Sequence, residues 1–458
     1  MSDLVLKKSK FLQVQIADEK IVIWHSLFGY PKIISKETLE FLNIFSRPKK
    51  LSLVIKKYQI GKEDQVYIKD LINCYFLVPD KINERSIVKS RYQEKEKSLA
   101  SGCFIKYLEL IISESCNFRC RYCIHFNNIE NSDRISNPNK IMNFVTAKKT
   151  VDLYLSILKK NNSHLAKINF GGGEPLLAWP VIEKTIRYCL KNYTDCFEFN
   201  FSINTNASLI DKNIAKKLKK YRVSVASSLD GLKKANDSVR ISKSEKGTFD
   251  IILNGLNYLK IAKYPVDGIS VTLNNYNFYL FDKNFIDWAK LNKMKELRID
   301  IDVIGMIDIP NKEIIDKLIS LKEYAKLNDI NVSGFWSRPA ENMNDSILDT
   351  DVAFCGATRG NNLCVNSQGE IYPCGYSNYK IGNIEKFNNL FKKNSKYCNF
   401  VKNKMIGEVK SCKGCSIEGQ CIGGCAITRE FADINKTAKI EKMCEFYQSM
   451  TRILLVEN

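Results

Sequence analysis

Tyr107-Leu-Glu-Leu-Ile-Ile112, followed almost at once by Ser115-Cys116-Asn-Phe-Arg-Cys120-Arg-Tyr-Cys123, decides the fold. The first run has the apolar, β-branched character of a strand, and the second places three cysteines on one tight loop at its end. The spacing is C-x3-C-x2-C. Three thiolates so placed can hold three irons of a cubane and leave the fourth iron open to an outside ligand. A structural zinc would instead need a fourth protein ligand close by, and His125 is the candidate for that alternative.

Outward from this loop, strand-like runs at 107–112, 167–170, 197–203, 223–229, 269–273 and 297–303 alternate with helical patterns at 145–160, 180–192, 210–220 and 249–262. Alternation of this kind predicts an α/β fold, a parallel sheet curled into a partial (β/α)6 TIM-type barrel with chemistry at the C-terminal strand ends. The expected division is residues 1–80, 81–104 as a polar linker, 105–310 as the barrel, 311–350 as a helical bridge, 351–447 as a cysteine-rich domain and 448–458 as a tail. In 1–80, Phe11–Ile16 and Lys20–Trp24 read as a two-stranded ribbon turning at Ala17-Asp-Glu. Ser35 caps a helix carrying Leu39, Leu42 and Phe45, and two more helical patterns lie near 51–58 and 63–74.

At 458 residues, 45% apolar and 26% charged, the chain is globular, which excludes a disordered tail or a fibrous repeat. No apolar run approaches a membrane span of about 18 residues, and the first twenty residues lack a secretory signal, so a cytoplasmic protein with no membrane partner is expected. The net charge of +20 is spread along the chain without long basic blocks, which favours a solvated lysine-rich surface over nucleic-acid binding. Sixteen cysteines in two dense groups, with none between Cys196 and Cys355, suit metal or cluster ligation better than a disulfide framework.

With Tyr122 before its last cysteine, the loop resembles that of the radical S-adenosylmethionine (SAM) superfamily. The resemblance implies a [4Fe–4S] cluster on Cys116, Cys120 and Cys123, with SAM bound at its open iron. Phe170-Gly171-Gly172-Gly173-Glu174-Pro175 follows the second strand where that family places a loop against the methionine moiety, with Glu174 as an acceptor for its ammonium. Asn204 ends the third strand with a polar group for ribose or substrate, and Ser228 and Arg240 match family contacts to the SAM carboxylate. Val303 would meet the adenine through backbone. Taken alone, Ser228 and Asp230 also read as an ordinary turn.

The C-terminal pattern resembles the SPASM extension of the same enzymes. Cys355-x13-Gly369-x4-Cys374 precedes Cys412-x2-Cys415-x5-Cys421-x3-Cys425 and a last Cys444. The resemblance, over 105–447, implies one auxiliary [4Fe–4S] cluster on Cys412, Cys415, Cys421 and Cys444. A second would sit on Cys355, Cys374 and Cys425, with Cys364 or an open iron as its fourth position. That makes three clusters in all. Cys74, Cys103, Cys189, Cys196 and Cys398 read as buried or incidental thiols.

SPASM enzymes act mostly on peptides and proteins. Anaerobic sulfatase maturases carry an Asp after the cysteine matching Cys374, used as a base; here that residue is Gly375. Residues 1–80 resemble the winged-helix-like recognition element of maturases of ribosomally made peptides, in which a ribbon edge accepts a leader peptide as an added strand. The basic excess there suits an acidic leader. A precursor-peptide maturase is expected, forming a thioether first, with carbon–carbon cross-linking, epimerisation and residue oxidation behind it, and with a flavodoxin- or ferredoxin-type electron donor. A non-enzymatic zinc or Fe–S nucleic-acid binder is the alternative of another class. No catalytic acid or base stands out among Asp302, Asp351 and Glu114.

Overall fold

The structure, a computed structural model, describes residues 4–17, 19–124, 140–266, 268–302, 307–344, 352–432 and 437–457. Val5–Lys8 (β1) precedes an antiparallel meander of Leu12–Ala17 (β2), Lys20–His25 (β3) and Gly29–Ile34 (β4). The ribbon read from sequence is β2–β3. Its third strand went unread because Gly29 and Pro31 signal a turn, and β4 takes them at its start, with Tyr30 in a left-handed conformation. Ser35 caps the helix Lys36–Ile44 as expected, accepting from the Thr38 N–H at 3.2 Å. Helices Leu51–Lys57 and Lys62–Asn73 follow, while Lys49–Lys50 (β5) and Leu77–Pro79 (β6) pair on either side of β1. Leu42, Phe45, Leu51, Leu71 and Phe76 close the core of this unit.

Residues 81–104 are no linker. Glu84–Leu99 is a sixteen-residue helix, started by Asn83 accepting from the Arg85 N–H. Its sequence looks unstructured because it is polar on nearly every face. It is helical because it bridges two bodies, with Arg85 paired to Glu418 and Glu96 to Lys402.

The barrel is built on Tyr107–Ser113 (β7), Leu165–Gly172 (β8), Glu198–Thr205 (β9), Ser224–Ser228 (β10), Gly268–Leu273 (β11) and Glu296–Ile301 (β12), all parallel. Two features extend the expected six strands. Asn331–Ser333 (β13), inside the presumed helical bridge between helices Asn311–Lys326 and Arg338–Asn344, adds to the β12 edge. At the other edge Asn362–Val365 (β14) pairs in parallel with β7 and carries Glu370–Tyr372 (β15) and Gly382–Asn383 (β16), making one sheet of ten strands. The cysteine-rich region thus shares its sheet with the barrel. The expected tail is the end of the helix Thr437–Glu457, which buries Met450, Leu454 and Leu455.

Strand alternation sets the chemistry of the two faces. Leu108, Leu110, Ile168, Phe170, Phe201, Ile203, Ile269, Ile299 and their neighbours are buried on one face under the helices. Glu109, Asn169, Ser202, Asn204, Ser228, Ser270, Thr272, Arg298 and Asp300 alternate with them, so the concave face is a polar chamber.

Candidate active site

The cysteine loop leaves β7 and is pinned across the chamber mouth. Arg119 and Arg121 donate their backbone N–H groups to the carbonyls of Ile241 and Val239 at 2.7 and 2.9 Å, and Cys123 closes a turn onto Cys120 at 3.0 Å. The residue between those two carbonyls is Arg240, so the pinning brings its guanidinium to the loop, Nη1 lying 3.9 Å from Cys120 Sγ. Burial pushes the Cys116 thiol up to about 11, while Arg240 opposes the rise at Cys120. Metal ligation requires thiolates, which a nearby cation favours.

The glycine loop approaches protein backbone closely. Gly173 and Glu174 donate to the carbonyls of Ser113 and Ser115, both at 2.8 Å. Gly172 sits at φ +115°, where a Cβ would lie 2.2 Å from the Ser113 oxygen, and a Cβ on Gly173 would lie 2.4 Å from that of Ser115. These glycines therefore hold the start of the cysteine loop. Glu174 differs from the expected ammonium acceptor. Its fully buried carboxylate accepts from the Leu176 N–H at 3.0 Å, the Thr205 hydroxyl at 2.8 Å and the Asn206 N–H at 2.8 Å. It braces the ends of β8 and β9, and burial pushes its pKa up to about 7.

Asp230 gathers three elements. It accepts from the Tyr122 hydroxyl at 2.7 Å and the Thr272 N–H at 2.8 Å, and pairs with Arg240 Nε at 2.8 Å. Burial would lower the Arg240 guanidinium, but Asp230, Tyr122 and Cys120 outweigh it and hold it raised. Tyr122 and Arg240 are thus committed to a protein network beside the cysteines. Ser228 and the exposed Asn204 make no side-chain hydrogen bond among the described residues, which leaves both open to a ligand. Asn206 touches the cysteine loop, donating to Asn117 Oδ1 at 2.9 Å. His125, Val303 and Asp351 lie outside the described residues.

The C-terminal cysteines fall into two sets. Burial, then the neighbouring Cys412, Cys415 and Cys444, push the Cys421 thiol well up. Cys374 is raised first by burial, with Glu109, Cys425 and Cys355 as acidic neighbours. A small pocket, partly open to solvent, reaches both sets and is lined by Cys421, Cys425, Arg429, Cys444 and Tyr447 among others. Among the described residues no three Cys, His, Asp or Glu side chains converge on a single-ion site. Cys364, buried beside the second set, has Cys374 as a neighbour and donates its Sγ to Glu109 Oε2 at 3.2 Å.

Glu109 is the residue that sequence reasoning missed. It is half-buried on the chamber face of β7, in register with Cys364 on one side and Asn169 on the other. Asn169 in turn accepts from Ser202 at 2.9 Å. A Cβ on Gly171 or Gly375 would fall 2.3 or 2.9 Å from Glu109 Oε1, so two glycines make room for this carboxylate. Burial raises its pKa, against the Cys364 thiol and the Gly375 N–H. The signal was a lone charge inside the apolar run YLELIIS. Glu114, a candidate from sequence, is tied instead to Ser367 at 2.9 Å and to Lys140.

Residues 110–291 match the Radical SAM superfamily. The radical SAM cyclopropyl synthase TigE of Paramaledivibacter caminithermalis is 28% identical over 96% of this chain and 93% of its own length. An uncharacterised protein of Methanocaldococcus jannaschii is 32% identical over 59% of this chain and 85% of its own length. The cysteine-type anaerobic sulfatase-maturating enzyme of Clostridium novyi is 27% identical over 71% of this chain and 90% of its own. Among solved structures, native anSMEcpe with bound AdoMet aligns with a TM-score of 0.62 at 21% identity, over 77% of this chain and 98% of its own. Streptococcus suis SuiB bound to precursor peptide SuiA aligns at 0.53 and 15% identity, over 95% and 98%. At these identities the two structural likenesses are of fold.

Proposed function

This chain belongs to the radical SAM superfamily and is an enzyme of that family, and from that premise we propose that it matures a ribosomally made precursor peptide by forming a new bond at an unactivated carbon. The observation that carries this is the extent of the likeness. It runs through the N-terminal unit, the barrel and the cysteine-rich region, both to a relative named for cyclopropyl synthesis and to a fold crystallised with a precursor peptide. Residues 1–80 would take the leader peptide, 105–310 the chemistry, and 351–447 the auxiliary clusters. A reducing, cytoplasmic setting is in keeping with sixteen cysteines, none of them in a disulfide among the described residues. Among the described residues no helix is long and apolar enough to cross a membrane.

Cys116, Cys120 and Cys123 would hold the SAM-binding [4Fe–4S] cluster, and the two C-terminal sets would hold two more. When bound, SAM on its cluster supplies a 5′-deoxyadenosyl radical that takes a hydrogen atom from carbon. Asn204 and Ser228 present free polar groups to SAM in the chamber, Gly172 and Gly173 fix the loop beneath it, and Val303 would lie at its adenine. Tyr122 and Arg240, locked by Asp230, hold Cys120 in place. Glu109 is the chamber carboxylate placed to accept the proton of the peptide's second hydrogen, and an auxiliary cluster would take the electron left behind.

Carbon–carbon closure is favoured by the full-length relative. A thioether is the second form: if Cys364, hydrogen-bonded to Glu109, stays off the set of Cys355, Cys374 and Cys425, the fourth position is left for a substrate sulfur. Sulfatase-type oxidation is the third form: Gly375 stands where that pattern has its Asp, and the Glu109 carboxylate lies beside it. The test is anaerobic reconstitution, then reductant and SAM. About twelve irons per chain, 5′-deoxyadenosine, and a precursor peptide that loses two hydrogens are expected. A carbon–carbon product leaves any peptide cysteine open to alkylation, and a thioether protects it. Stoichiometric zinc with intact SAM overturns the proposal. An electron donor of flavodoxin or ferredoxin type would serve in the cell.

A further inference from the structure

The loop carrying Cys412, Cys415 and Cys421 has little core of its own. It passes through the single turn Lys410–Cys412 and the four-residue helix Glu418–Cys421, then leaves through Ile422, Gly423 and Gly424, all at positive φ. Its outer side rests on the N-terminal unit. The Trp24 indole, at the end of β3 and 1% exposed, donates to the Ser416 carbonyl at 2.7 Å. Gly419 donates to the Ser26 carbonyl at 2.8 Å, and a Cβ there would lie 2.0 Å from the Leu27 oxygen. Glu418, 2% exposed, is gripped by both terminal nitrogens of Arg85 at 2.7 and 2.8 Å and accepts from the Gly414 N–H at 2.9 Å.

The three contacts fall at 416, 418 and 419, each within three residues of a cysteine. They come from the central strand of the peptide-recognition meander and from the helix that follows that unit. Beneath them His25, fully buried, fixes the β3–β4 turn by accepting from the Leu27 and Phe28 N–H groups at 3.2 Å, its Nε2 facing Glu84 at 3.2 Å. A bidentate Arg–carboxylate pair, an indole N–H bond and a backbone contact that admits only glycine make a fixed joint.

We infer that Trp24, Arg85 and the β3–β4 turn are positioning residues of the auxiliary site formed by Cys412, Cys415, Cys421 and Cys444, so that the unit proposed to bind the leader peptide is also the outer wall of a cluster site. The inference rests on the cluster assignment above. Groups that orient ligand-bearing backbone tune a metal site as well as hold it.

The test uses the full chain, reconstituted anaerobically, with iron counted and each cluster followed by electron paramagnetic resonance during a reductive titration. Gly419→Ala is expected to lose about a third of the iron, one cluster in three, together with one component of the reduced spectrum. Trp24→Phe removes one donor while keeping an aromatic side chain. It is expected to keep all the iron and to shift the midpoint potential of one cluster, leaving the other two unchanged. Arg85→Ala is expected to behave like Gly419→Ala, with Arg85→Lys partly restoring the iron. If the variants keep wild-type iron and all three potentials, the inference falls whatever their melting temperatures. If the wild-type chain itself binds no iron, the proposed function falls instead.

Discussion

Replacing Asp230 by Asn keeps the shape of the site and removes one charge. Asp230 is fully buried and Arg240 is 7% exposed. The Asn carbonyl can keep the Thr272 N–H, but its amide nitrogen then faces the Tyr122 hydroxyl and Arg240 Nε, which stood 2.7 and 2.8 Å from a carboxylate oxygen. Breaking one side of a buried pair costs about 3–5 kcal/mol, because the remaining charge has no counterion. Tyr122→Phe removes only a hydrogen bond to a charged acceptor, worth about 1.5–3 kcal/mol. Adding Arg240→Met to Asp230→Asn is expected to recover much of the loss, since an apolar replacement of a whole buried pair is often close to neutral. Urea unfolding of the reconstituted protein, followed by tryptophan fluorescence, gives all three values. The order Asp230→Asn worst, Tyr122→Phe intermediate and the double variant recovering is the signature. A loss below about 1 kcal/mol for Asp230→Asn, the range of exposed pairs, would refute the network.

Gly173→Ala sets a Cβ 2.4 Å from the Ser115 oxygen and 3.2 Å from the Cys116 nitrogen, so the cysteine loop must move. Iron at the first site and 5′-deoxyadenosine formation are expected to fall together, by about a hundredfold for the latter if the loop shifts by about 1 Å. Glu174 holds a proton in the folded state up to about pH 7, against an ordinary 4.5. The unfolded chain releases that proton earlier, so this group lowers stability by about 3 kcal/mol as pH rises from 4.5 to 7 and no further above. The Gln variant is expected to lack that slope in pH-dependent unfolding. Glu109→Gln is expected to keep deoxyadenosine formation and lose peptide product by about a hundredfold, read by mass spectrometry; unchanged product rules Glu109 out as proton acceptor.

The fold was legible where period and punctuation agreed. Alternating strands and helices, the cap at Ser35 and the two cysteine patterns all concern local residues, and the strands landed within a few residues of expectation. What was not legible depends on partners distant in sequence. The helix Glu84–Leu99 has too few apolar positions to announce itself, and it is ordered by Glu418 and Lys402, more than three hundred residues away. The strand Asn331–Ser333 is three residues long and exists because β12 offers an edge. Glu174 reads as a free acceptor until Thr205 and Asn206 are folded against it. The grouping of Cys412, Cys415, Cys421 and Cys444 apart from Cys355, Cys374 and Cys425, by contrast, followed from the spacing pattern that marked the family.

The glycine at 375 shows how a departure from a family pattern can mislead when read one position at a time. In sequence it is a missing acid, since the sulfatase-type pattern places Asp there. In space, a Cβ at 375 would stand 2.9–3.1 Å from the carboxyl atoms of Glu109. A carboxylate is therefore present at this point, delivered from the first barrel strand, and a side chain at 375 would press on its flexible end. Two like charges so close would also disfavour each other's ionised forms. The acid here is anchored on a strand fixed by neighbours on both sides, hydrogen-bonded to the thiol of Cys364 and set on the polar face of the sheet.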